Sequence, residues 1–75
     1  MMKKLDLKKS VYELTEEYPE LIELLSGMGF LGVKNPIMRK TIGRKMTIPA
    51  GCEKQGKNLE KVLEVLKENG FEIED

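Results

Sequence analysis

The sequence predicts an all-α fold, a compact orthogonal array of about five short helices, on three observations. Side chains able to cap a helix stand at Ser10, Asn35, Thr47 and Asn58. Apolar residues follow these caps three and four positions apart, the spacing of one helix face. Glycines at 29, 43, 56 and 70 then fall where the apolar stripes stop. A chain of 75 residues buries only roughly 60% of the surface its unfolded form exposes, so residues 1–75 are expected to form a single helical domain.

Each element has its own justification. Ser10 and Glu13 match a capping box, in which hydroxyl and carboxylate satisfy backbone N–H groups that the first turn leaves unpaired. The helix they open carries Val11, Leu14 and Tyr18 on one face. Pro19 biases Tyr18 out of helical geometry and opens a second helix, whose stripe is Leu21, Leu24, Leu25 and Met28. Gly29 supplies the left-handed residue that ends it, and Phe30 folds back onto Leu25. Asn35 and Pro36 start a short third helix bearing Ile37, Met38 and Ile42, with Gly43 as its expected stop. Thr47 caps a fourth that contains Pro49, Ala50 and Cys52, small enough for a close helix approach, and Gly56 closes it. Asn58 caps the fifth, with Leu59, Val62, Leu63 and Leu66 buried, Gly70 as stop and Phe71 packing back on Leu66. The endings Leu21–Phe30 and Val62–Phe71 align residue for residue, through a stop signal common enough to recur without duplication. Residues 5–7 suit extended chain, but a lone short strand has no evident partner, which keeps the expected class all-α.

Composition removes several function classes. Cys52 is the only cysteine and histidine is absent, so an internal disulfide, a cysteine cage and the commonest general base are out of reach. No apolar run approaches the ~20 residues of a membrane span, and the start lacks the apolar stretch of a signal peptide. A reducing cytoplasm is the expected location, and no cofactor is expected. With five methionines and no tryptophan, the core must be aliphatic and adaptable.

The net charge is zero, yet the charges are blocked: residues 13–23 carry five glutamates and no base, and residues 24–52 carry five bases and no acid. Those bases, Lys34, Arg39, Lys40, Arg44 and Lys45, gather around the third helix. Together with Asn35 and Met38 they form the candidate surface for a protein partner or a small anion, because free N–H groups at a helix start favour negative charge. The plainer alternative is solvated bases pairing with Glu13, Glu16, Glu17, Glu20 and Glu23 of the same molecule. A nucleic-acid partner is not expected, since no aromatics interleave the bases for stacking. The glutamates read as a solvated face and Cys52 as a small buried residue, although Lys54 nearby leaves a reactive thiol open. Gly43 and Gly51 bracket a run of restricted residues that fixes either a tight connection or a groove beside Arg44.

Tyr18-Pro19-Glu20-Leu21, Gly29-Phe30, Asn35-Pro36 and the run Thr41–Gly51 resemble the bacterial family called domain of unknown function 1858, over nearly the whole chain. The resemblance implies a compact helical array in a bacterial cytosol and no established activity. One branch of that family resembles a small redox module with a Gly-Phe-x-Cys-x-x-Cys turn, found beside disulfide-reductase and iron–sulfur proteins. The matching positions here are Gly32 and Asn35, which can neither cycle a disulfide nor hold a metal through sulfur. Gly43-Arg44-Lys45-Met46-Thr47-Ile48-Pro49 looks instead like a cysteine-free branch, found alone or ahead of sensory and haemerythrin-like proteins. Three functions follow as expectations. The first is a non-catalytic interaction domain, with self-association among its options. The second is a small-anion or small-molecule sensor using Arg44 and the helix start at Asn35. The third is a degenerate relative of the redox module.

Overall fold

The computed structural model describes residues 3–30 and 32–74. Strand β1, Lys3–Asp6, is followed by helices α1, Val11–Glu17, and α2, Glu20–Gly27. Then come α3, Pro36–Thr41, which runs into a 3-10 turn at Ile42–Arg44, and α4, Ile48–Gln55. Helix α5, Leu59–Glu68, and strand β2, Phe71–Glu74, complete the chain.

The two strands correct the all-α expectation. β1 and β2 pair in parallel, with Lys3 opposite Phe71, Leu5 opposite Ile73 and Asp6 opposite Glu74. The backbone N–H of Lys3 donates to the Gly70 carbonyl at 2.9 Å and that of Leu7 to Glu74 at 3.0 Å, so the pairing extends past both ends. Each strand alternates: Leu5 and Phe71 are fully buried, while Lys4 and Glu72 face solvent. A parallel pair needs a long crossover, and here all five helices form it. The residues read as a lone extended stretch therefore do have a partner, at the far end of the sequence.

The helices form where their caps stand. The Ser10–Glu13 box is complete: the Glu13 N–H donates to Ser10 Oγ at 3.1 Å and the Ser10 N–H to Glu13 Oε1 at 3.2 Å. Tyr18 leaves helical geometry at φ −128°, and its ring meets Phe71 edge-on at a centroid distance of 5.5 Å. α2 stops at Gly29, where φ is +92°, and the Phe30 N–H closes back on the Leu25 carbonyl at 3.0 Å. Gly56 and Gly70, at φ +67° and +89°, end α4 and α5 in the same left-handed way. Gly43 does not serve as such a stop. It lies buried in the 3-10 turn, is not among the positive-φ glycines, and a Cβ there would sit in ordinary contact 3.6 Å from Tyr12 Cβ, where the turn packs against α1.

Leu5, Leu14, Leu21, Ile48, Leu66 and Phe71 are buried at the centre, each 1% exposed or less. Every helix except α3 contributes a buried residue to this core. The exception defines the site.

Candidate functional site

Helix α3 has six residues, too few to be stable without help from packing or caps. Its help is local. Asn35 Oδ1 accepts the N–H groups of Ile37 at 2.9 Å and Met38 at 3.3 Å, Pro36 fixes the first helical residue, and the Thr41 hydroxyl donates to the Ile37 carbonyl at 2.9 Å. The helix is thus held in place while its apolar side chains stay in water: Ile37 is 73% exposed, Ile42 50% and Met38 39%. Met38 and Ile42 lie one turn apart on one ridge, and Ile37 adjoins them on the outward face.

Beside that ridge a recess of about 70 Å³ opens to solvent. Phe30, Val33, Met38, Ile42 and Met46 wall it with apolar atoms, and Gly51 of α4 forms part of its lining. A Cβ at Gly51 would stand 3.3 Å from the Phe30 ring, so any side chain there would crowd the ring that walls the recess. Gly32, at φ +78°, plays a related part: a Cβ on it would come within 2.8 Å of the Met38 methyl. Arg39 is the one charged side chain among the lining residues, and no carboxylate accompanies it. Its Nη1 donates to the Val33 carbonyl at 2.8 Å, which pins the guanidinium at the wall.

The seven residues singled out from the sequence separate here. Lys34 pairs with Glu23 at 3.5 Å, as the plainer alternative expected. Arg39 anchors the loop before α3 and lines the recess with Met38. Arg44 stacks over the Tyr12 ring, 4.8 Å from its centroid. Lys40 and Lys45 are exposed and form no ion pair among the described residues. Asn35 is the cap itself. Asn35 and Arg44 therefore stand at opposite ends of the helical run 36–44, and the N–H groups that an anion would use already bond to the Asn35 side chain.

Apart from Glu23, three members of the glutamate block are employed elsewhere. Glu13 completes the α1 cap, Glu17 meets Lys9 at 3.4 Å, and Glu20 pairs with Lys3. Cys52 is 1% exposed in the core. Burial pushes its thiol above the ordinary range, with the Lys57 charge partly opposing; Lys57, rather than Lys54, is the cation that it senses. At the positions of the redox branch's cysteines, the Asn35 N–H closes a turn on the Gly32 carbonyl at 3.0 Å, with no sulfur at either place. Among the described residues no group of three or more His, Cys, Asp or Glu is placed to hold a metal, and no helix is long and apolar enough to cross a membrane.

Sequence reasoning pointed to Met38 and Arg39 and offered a groove between Gly43 and Gly51, both of which line the recess, but set it beside Arg44, which does not. Phe30 and Val33 went unread, because they come to the recess from the loop after α2.

Fold and site together define a small helical domain, closed by a parallel strand pair, that leaves one apolar helix face and recess uncovered. The chain belongs to the family described as domain of unknown function 1858, whose sequence model matches residues 5–63. Among solved structures it is similar to the conserved domain protein from Streptococcus pneumoniae TIGR4, with 34% identity and a TM-score of 0.92 over 99% of this chain and 94% of that one. A comparison with curated proteins returns no match.

Proposed function

We propose that this chain is a non-catalytic protein-interaction domain whose contact surface is the α3 face and the recess beside it. One observation carries the reading: α3 buries none of its own residues, yet it holds Ile37, Met38 and Ile42 in solvent next to an apolar hollow. Covering one such side chain is worth about 1.5–3 kcal/mol, and contiguous exposed apolar surface of this kind marks contact sites. A cytoplasmic, bacterial setting suits the domain, since its lone thiol needs no oxidising compartment.

The test is affinity capture from extracts of the source cells, with the intact chain and its Ile37→Asp/Ile42→Asp variant as baits of matched circular dichroism. Proteins held by the parent and lost from the variant are expected. Identical protein sets from the two baits would end the proposal. Light scattering on both chains reports whether a second copy takes the same face.

A further inference from the structure

The recess combines three properties that together specify an occupant. Its volume of about 70 Å³ accommodates one apolar side chain rather than a large ligand. Its walls are mostly apolar, with Gln55 as a neutral polar lining residue and Arg39 as the one charged residue. The guanidinium has five N–H donors in a rigid fork; one goes to the Val33 carbonyl, and Arg39 forms no ion pair among the described residues. The surroundings reinforce the sign, since residues 24–52 hold five bases and no acid, and among the described residues Lys34 alone of those bases is paired to a carboxylate.

We infer that the recess receives a segment of a partner protein that presents one apolar side chain with a carboxylate beside it, the side chain entering between Phe30 and Met46 and the carboxylate meeting Arg39. This rests on the α3 face being a contact surface and adds what the partner must look like. A guanidinium favours a carboxylate because two parallel N–H···O bonds fit its fork. The exposed Ile37, outside the recess, favours a polypeptide over a free small acid, because apolar contact continues beyond the hollow. An acidic surround on the partner would also speed encounter with the basic segment and make binding salt-sensitive.

Panning a random-peptide phage library against the intact chain tests this. The expected consensus is a Leu, Ile or Met within one or two positions of Asp or Glu. Synthetic peptides carrying it should lose about tenfold in affinity for Ile42→Asp and for Arg39→Lys, and less for Ile42→Lys, because rim charge and bidentate geometry both count. Ile42 is half exposed, so its variants should fold, and Arg39→Lys keeps a donor for the Val33 carbonyl. A neutral or basic consensus that still loses affinity for both Ile42 variants would overturn the carboxylate and leave the α3 face standing. Peptides indifferent to all three variants, or none selected, would sink both ideas. A dimer dissolved by Ile37→Asp would put a second copy on the face and overturn the foreign segment.

Discussion

Helices α3 and α5 carry similar apolar material and end up in opposite circumstances. α5 places Val62 and Leu66 in the core, 5% and 0% exposed, because the chain after it turns back as β2 and lays the fully buried Phe71 among the same residues. α3 has Ile37 and Met38, with Ile42 just beyond it, and among the described residues no element folds over them. Apolar spacing states that a face wants cover; only the remainder of the chain decides whether it receives it. An uncovered face costs the fold little and remains available for contact.

Mutations at the two regions should therefore separate stability from binding. Phe71→Ala removes the largest fully buried side chain and is expected to cost about 3–5 kcal/mol in urea unfolding, a large share of the stability of a domain of this size; a loss under about 1 kcal/mol would mean that the strand pair does not seal the core. Ser10→Ala breaks the α1 capping box beside the core and should cost about 1 kcal/mol, seen as a lower melting temperature. Ile37→Asp on α3 is expected to stay within about 0.5 kcal/mol of the parent while altering binding. A large destabilisation there would show that α3 is part of the core after all.

The smallest effect concerns pH. Burial raises the Cys52 thiol above its ordinary value of 9.0, so the stability it contributes is complete below that value. As pH rises past 9.0 the unfolded thiol ionises first, and stability falls until the folded thiol ionises too. Denaturation curves of the parent and Cys52→Ala, measured from neutral to alkaline pH, should converge as pH rises; parallel curves would place the thiol in a more polar site.

Legibility followed locality. Caps at Ser10, Asn35, Thr47 and Asn58, and glycine stops at 29, 56 and 70, act within a turn of themselves, so neighbouring residues reveal them. The β1–β2 pair could not be read this way, because Leu5 and Ile73 meet only after five helices have been placed. Gly43 misled for a related reason: the helical run continues through it as a 3-10 turn at a φ that is not left-handed, although the residue type alone reads as a stop. At the site, residue types were visible and their tasks were not. The sequence favoured Arg44 as the ligand-facing arginine, whereas Arg39 walls the recess and Arg44 lies on an aromatic ring.

The register that sets Lys3 beside Phe71 has a temporal consequence. Because five helices separate β1 from β2 along the chain, Leu5 lacks its cross-strand neighbour Ile73 until all five have been synthesised. Such long-range closure slows folding relative to a bundle of adjacent helices. A nascent chain thus exposes the β1 edge until β2, five helices later, has been made to pair with it.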